Sequence, residues 1–246
     1  MHSNRLLNAL GIVALFATPA FAYSGGDGGG IIDPKYAWDD LWNHLLIDIL
    51  VIGAIFSIAA IYLLFRFKAT SPDQVGSGRK LSTAEMWGWA LIPAFIFLAD
   101  DLYLAAKGWT VWNIYRSVPE NAMEVKVTGM QWSWDFEYEN GVTSEVLKVP
   151  VGRPVVLRMS SDDVVHSFGL AHYRVKEDML PGRVTYLWFY PDKPLKTVVT
   201  CTEYCGTAHA EMFTDVIAMP ESEFNAWLDS EVKSADARQP VAEIKG

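Results

Sequence analysis

Residues 132–141 read W-S-W-D-F-E-Y-E-N-G. Trp132, Trp134, Phe136 and Tyr138 alternate with Ser133, Asp135, Glu137 and Glu139. A period of two predicts a β-strand, here with one aromatic face. Asn140-Gly141 then supplies a hairpin turn. Working outward, further strand-like runs cover 155–159, 184–190, 196–201 and 213–218, punctuated by Pro181-Gly182 and by P-D-K-P at 191–194. Many short strands with such turns predict an all-β antiparallel sandwich or barrel. A short helix over 221–231, with Phe224, Trp227 and Leu228 on one face, closes this domain. The stretch 232–246 is a polar tail, read as disordered beyond Lys233.

Upstream of the strands the composition is that of a membrane protein. Residues 1–22 carry one arginine, an apolar run and A-F-A before Tyr23, the pattern of a secretory signal peptide rather than of an uncleaved anchor. A Gly-rich stretch at 24–30 follows, inside an exported segment over 23–42. Two apolar runs, about 45–65 and 86–106, are long enough to cross a bilayer, which needs roughly 20 residues. They form a transmembrane α-helical hairpin within 43–107. Arg66, Lys68, Arg79 and Lys80 lie between them, and the positive-inside rule places that loop in the cytoplasm. Both chain ends then lie outside, with the strand-rich region over 108–231 as an exported domain. In a bacterium that is the periplasm. Asp48, Asp100 and Asp101 fall toward the outer ends of the spans; acids well inside a membrane hint at a proton pathway, whereas acids at the interface are merely solvated, and both readings stay open here.

The chemistry concentrates at 201–212, which reads C-T-E-Y-C-G-T-A-H-A-E-M and holds both cysteines of the chain. Two thiolates, an imidazole and a thioether in one loop suit copper, because soft sulfur favours Cu(I) and imidazole binds either oxidation state. One cysteine with His and Met would suggest a mononuclear site; the second offers a bridging sulfur and a pair of coppers. A disulfide would close a loop of only three intervening residues, a small entropic gain, and would leave His209 and Met212 without a purpose. Zinc is a weaker match, since Met is a poor zinc ligand. A further ligand must come from elsewhere, and His166, in D-D-V-V-H-S-F-G-L, and His172 are the rivals.

The loop C-x-E-x-C-x-x-x-H-x-x-M resembles the binuclear copper (CuA) signature of subunit II of haem-copper cytochrome c oxidases. D-V-V-H-S-F at 163–168, R-V-K-E-D-M-L-P-G-R at 174–183 and G-M-Q-W-S-W-D-F-E-Y at 129–138 match other blocks of that family in its order. The resemblance spans nearly the whole chain after the leader and implies a cupredoxin-like Greek-key barrel beyond the helix hairpin. It implies that Cys201 and Cys205 bridge two coppers and that His166 and His209 each bind one. Met212 and the backbone carbonyl of Glu203 become weak ligands. Trp132 becomes the residue through which electrons reach the coppers. The Glu203 side chain is implied to help hold Mg²⁺, an oxygen-seeking cation, at the junction with the catalytic subunit, with Asp178 and Arg183 facing the same junction.

The implied function is electron relay: cytochrome c reduces the copper pair, and a haem-bearing subunit I takes the electron, reduces oxygen to water and moves protons. Other oxidase subunits and the lipid bilayer complete the partners. One departure stands out. The family places a proton-admitting glutamate before the second helix as E-x-x-W-x-x-x-P, whereas here Glu85 lies one residue further from Pro93, a turn of about 100° on a helix. The chain has no C-x-x-C-H and so no fused c-type haem.

The exported region from residue 108 carries 13 Lys and Arg against 20 Asp and Glu. That acidic balance suits a basic partner such as cytochrome c and gives no basic footprint for nucleic acid. Three relatives of different reaction share parts of the pattern. A CuA-bearing nitric oxide reductase would use a very similar subunit. Nitrous oxide reductase places an aromatic where Glu203 stands, and quinol oxidase subunit II lacks the copper ligands. A membrane-tethered copper carrier is the alternative from another class.

Overall fold

The structure is a computed structural model that describes residues 31–76 and 78–238, with side chains through residue 234. The signal peptide, the Gly-rich stretch and residues 239–246 lie outside the described residues. The described chain divides into a helical unit, Asp39–Val111, and a β unit built from Trp112 onward together with residues 31–38.

Helix α1 (Pro34–Arg66) starts where its sequence permits. Proline fits the first helical position because its missing N–H has no partner there anyway. Asp33, just before it, accepts the N–H of Lys35 at 2.9 Å and caps the turn. Helix α2 (Thr83–Arg116) opens on a capping box. Ser82 N–H donates to Glu85 Oε2 at 2.8 Å, and Glu85 N–H donates to Ser82 Oγ at 3.3 Å. Arg79 pairs with the other carboxylate oxygen. Glu85 is therefore committed to starting the helix.

Both helices are long and apolar enough to cross a membrane, and the apolar windows of both are unburied by protein. Side chains such as Leu50, Phe56, Leu64, Ile92 and Phe95 are exposed, as lipid-facing residues are. Lys107 pairs with Asp40 between the two helices at 3.2 Å.

Helix α2 does not stop near Gly108, where the sequence reading puts the change to strands. It continues to Arg116. Residues 109–116, W-T-V-W-N-I-Y-R, contain no helix breaker, and Pro119 is the first proline beyond them.

Among the described residues the β unit holds ten strands. They are β1 (Met123–Met130), β2 (Ser133–Tyr138), β3 (Thr143–Ser144), β4 (Leu147–Pro150), β5 (Val155–Ser161), β6 (His166–Leu170), β7 (Val175–Met179), β8 (Thr185–Phe189), β9 (Leu195–Cys201) and β10 (Phe213–Met219). They form two five-stranded sheets, ordered β3-β2-β1-β5-β8 and β4-β10-β9-β6-β7. Val125, Val127, Phe136, Leu157 and Met159 from the first meet Phe168, Leu170, Val199 and Val216 from the second in one core. Burying each such side chain contributes roughly 1.5–3 kcal/mol. This is the cupredoxin-like two-sheet domain expected from the sequence.

The sheets are mixed rather than antiparallel throughout. β1 pairs parallel to β5, and β4 parallel to β10. The cause is the route of the chain: after β3 it crosses to the second sheet as β4, then returns as β5 on the free side of β1. The Asn140-Gly141 turn joins β2 to β3 as expected, with Gly141 at φ +80°, a conformation glycine adopts without strain.

Helix α3 (Glu221–Arg238) runs past the expected end at 231. No Gly or Pro interrupts 221–238, and Val232 extends the stripe of Phe224, Trp227 and Leu228 that packs on the core. The expectation of disorder from Lys233 fails for 234–238 for that reason.

Tyr138 links the two sheets. Its hydroxyl donates to Lys148 O at 3.0 Å and accepts Lys148 N–H at 2.9 Å, while its ring meets Trp227 edge-on at 5.2 Å. Tyr138→Phe takes this partner from the half-buried N–H and C=O of Lys148 and is expected to destabilise the protein by about 1–3 kcal/mol. Thermal or denaturant unfolding checks this; an unchanged midpoint would show that water replaces both bonds.

Candidate metal centre

The loop between β9 and β10 is a β-hairpin connection closed at its base. Phe213 pairs with Thr200, and Cys201 N–H donates to Met212 O at 3.0 Å. Its interior is wound by short turns: His209 N–H to Gly206 O at 3.1 Å and Glu211 N–H to Ala208 O at 3.0 Å. Thr202 N–H donates to Ser167 O at 2.9 Å, which fastens the loop to the strand that begins with His166. Local backbone bonds thus set where every donor of the loop points.

Those donors converge. The sulfurs of Cys201 and Cys205 stand 3.7 Å apart and are not bonded to each other. His166 Nδ1 lies 3.9 Å from Cys201 Sγ, and His209 Nδ1 lies 3.5 Å from Cys205 Sγ. Met212 Sδ is 3.7 Å from Cys205 Sγ, and Glu203 O is 3.1 Å from Cys201 Sγ. Ligand atoms of His166, Cys201 and Cys205 all lie within 4.8 Å of one another, a group that could hold a metal ion. His166 and Met212 are fully buried and the cysteines nearly so. His172 sits on the short helix Ala171–Tyr173 with its ring against Tyr173, and is not in this group.

Burial, and then the adjacent Cys201 sulfur, push the Cys205 thiol up to about 11. In the absence of a cation the loop therefore keeps that proton, and a bound metal must displace it. Thiolate, imidazole, thioether and carbonyl donors together fit copper. A zinc or magnesium site would present a different set.

The arrangement depends on residues that the sequence reading did not single out. Asp163 Oδ1 accepts His166 Nε2–H at 2.8 Å, which leaves Nδ1 free to face the sulfurs. The same carboxylate takes Gln131 N–H at 2.7 Å and Val164 N–H at 2.6 Å. Partial burial acts to raise the Asp163 pKa, but the hydrogen bonds from His166, Gln131 and Val164 outweigh it and hold the carboxyl below its usual range. Asp163 is ionised at neutral pH and orients the ring, as carboxylates behind metal-bound histidines do. Gln131 also donates its side-chain amide to Cys205 O at 2.7 Å. A carboxylate three residues before His166 was visible in D-D-V-V-H, but nothing in the sequence says that it turns back on the ring.

Trp132 departs from the strand pattern. The expected aromatic face holds for Trp134, Phe136 and Tyr138, all buried, but Trp132 precedes β2 in a turn and is 39% exposed. Its indole instead lies along the metal loop. A Cβ on Gly206, which sits at φ +125°, would come within 3.2 Å of Trp132 Cζ2 and 2.8 Å of Gln131 Nε2. Glycine at 206 is what allows the indole to lie next to Cys205. Glu203, Asp178 and Arg183 have exposed side chains.

The family model described as cytochrome C oxidase subunit II, periplasmic domain, matches residues 141–219. The chain is 30% identical over 229 residues to the alternative cytochrome c oxidase subunit 2 of Bradyrhizobium diazoefficiens, covering 79% of this chain and 81% of that protein. It is 29% identical over 219 residues to cytochrome c oxidase subunit 2 of Alkalihalophilus pseudofirmus, covering 85% of this chain and 64% of that one. Among solved structures, it is similar to the periplasmic domain of subunit II of the cytochrome oxidase of Bradyrhizobium japonicum. That likeness has 27% identity and a TM-score of 0.45, over 48% of this chain and 99% of that chain.

Asp163→Asn keeps the shape of the side chain and removes the charge that orients His166. Copper retention is expected to fall by about 10–100-fold, read by competition with a chelator. Equal retention in the variant would show that the ring needs no such partner.

Proposed function

This chain belongs to the cytochrome c oxidase subunit II family, and from that premise we propose the role it plays. It is the subunit through which electrons from cytochrome c reach a respiratory haem-copper oxidase, on their way to haem in a partner subunit that reduces oxygen to water and translocates protons. The observation that carries this reading is the convergence on Cys201 and Cys205 of His166, His209, Met212 and the Glu203 carbonyl, beside a half-exposed Trp132.

Cys201 and Cys205 would bridge two coppers, His166 and His209 would take one each, and Met212 and Glu203 O would be the weak ligands. A copper pair held in this way supplies a one-electron store. The chain's own residues do the rest. The paired strands β9 and β10 fix the cysteines, so little has to move when charge changes. Asp163 holds the His166 tautomer with Nδ1 toward sulfur. Trp132 offers its exposed edge to a donor while its other edge touches the loop at Gly206. The acidic balance of the domain favours a basic donor protein by raising its rate of encounter. Glu203 presents its carboxylate at the surface; one carboxylate does not complete a Mg²⁺ site, and the remaining oxygens would come from the catalytic subunit. The proposed location is a bacterial inner membrane with the β domain in the periplasm.

Purification from native membrane tests the reading. Haem subunits are expected to co-purify, with a mixed-valence copper-pair spin signal and oxygen turnover. Turnover of nitric oxide instead would assign the subunit to a reductase, and readily exchanged copper without the pair signal would make it a carrier. Trp132→Phe is expected to keep the copper absorption while slowing reduction by cytochrome c, followed by stopped flow. An unaltered rate would remove Trp132 from the route.

A further inference from the structure

The last turn of α2, residues 112–116, is gripped by two strands at once. A helix end leaves carbonyls without partners, and here strand β8 supplies two of them. Trp188 Nε1–H donates to Ile114 O at 3.2 Å, and the Tyr186 hydroxyl donates to Arg116 O at 3.3 Å. Strand β7 takes hold from the other side. Tyr115 OH donates to Lys176 O at 2.6 Å, and Arg116 Nη2 pairs with Glu177 Oε2 at 2.8 Å. The guanidinium lies 4.5 Å from the Trp112 ring centroid, 4.9 Å from Tyr115 and 5.4 Å from Tyr186. Arg116 Nη1 also donates to Tyr186 O at 3.4 Å.

This is not an ordinary surface ion pair. The Arg116 side chain is 27% exposed and the Glu177 side chain 17%, and the flat cation is sandwiched by aromatic faces, a use for which Arg is suited and Lys is not. β7 and β8 are edge strands of different sheets. Arg116 therefore closes the seam between the sheets at the point where the helix meets them. Among the described residues β7 is also the only strand other than β9 that pairs with the His166 strand: Glu177 stands opposite Phe168, and Met179 opposite His166. On the next position of β7, Asp178 is exposed, on the surface expected to meet the catalytic subunit.

We propose that Arg116 and Glu177 are positioning residues for electron transfer: their caged ion pair fastens the last turn of α2 to the strand that braces the His166 strand. The inference rests on the relay reading above. It assigns the clamp to the outgoing step, in which one electron leaves the centre and reduces the partner haem. That step falls off steeply with separation, so small displacements of β6 and β7 cost rate. The incoming step is held separately, because Trp132 is tied to the loop through Gln131 and Gly206.

The test uses the intact oxidase complex with Glu177→Gln, which keeps shape and loses charge, and Arg116→Lys, which keeps charge and loses the planar fork. Hydrogen exchange is expected to quicken at 166–170 and 175–179 in both variants, with 123–138 unchanged. Copper content and the rate of reduction by cytochrome c should stay at the parent level, while haem reduction slows by about tenfold, within the range that slight misplacement produces. Unaltered exchange and haem reduction in both variants would overturn the proposal, as would equal slowing of both electron steps or loss of copper. Absence of the copper-pair signal from the parent complex would instead remove the relay reading itself, and the exchange measurement alone would still judge the clamp.

Discussion

The structure turns on one crowded arrangement: two cysteine sulfurs side by side, unbonded, with an imidazole nitrogen against each and a thioether against the second. Burial keeps Cys205 protonated when no cation is present, pushed up to about 11, so the thiols gain nothing from each other. What holds the group together is the backbone around it. The hairpin base at Cys201 N–H and Met212 O, the turns inside the loop and the tie from Thr202 to Ser167 fix the donors before any metal arrives. The surrounding core then fixes the ring of His166, with Trp134 edge-on at 6.0 Å and Gly129 leaving the space that a Cβ would take from both rings. A site organised in this way has its reorganisation cost met during folding, which is what a one-electron relay needs.

From this centre two lines of polar contact run outward. The first passes from His166 through Asp163 to the backbone of Gln131, and from the side chain of Gln131 back to Cys205. It encloses the turn that carries Trp132, so the backbone of that turn is tied to both halves of the ligand set. The second line runs through backbone, from β6 to β7, and ends at Glu177 and Arg116. The turn that carries Trp132 and the last turn of α2 are thus anchored to the same small set of atoms by separate routes.

How much of this is legible in the sequence depends on the range of the interaction. The loop 201–212 declares its chemistry because its donors are neighbours in the chain, and His166 follows from its motif. The aromatic alternation gives β2 correctly from Trp134 to Tyr138, since a strand's faces are set by local geometry. It misplaces Trp132 because a turn, fixed by Asp163 from 32 residues away, intervenes. Asp163, Gln131 and Gly206 act through contacts that no local pattern announces. The parallel pairing of β1 with β5 was likewise hidden, because it depends on the chain leaving one sheet and returning to it.

The end of α2 shows the same limit from the other side. Hydropathy marks where a span leaves the bilayer, about residue 106, but a helix ends where its backbone loses better partners. Here Trp188 and Tyr186 take that role for the last carbonyls, and Tyr115 and Arg116 reach the two edge strands, with the Trp112 ring against the guanidinium. The sequence reading places residues 109–116 in the strand-rich region that begins at 108. In the fold Tyr115 and Arg116 cover the seam of a sandwich, and covering an edge is itself a stabilising task, since an open strand edge invites other pairing. A residue such as Arg116, neither apolar nor near a motif, finds its partners only in that setting. Its planar cation satisfies Glu177, a strand carbonyl and three ring faces at once, and no shorter or rounder charge could meet all of them.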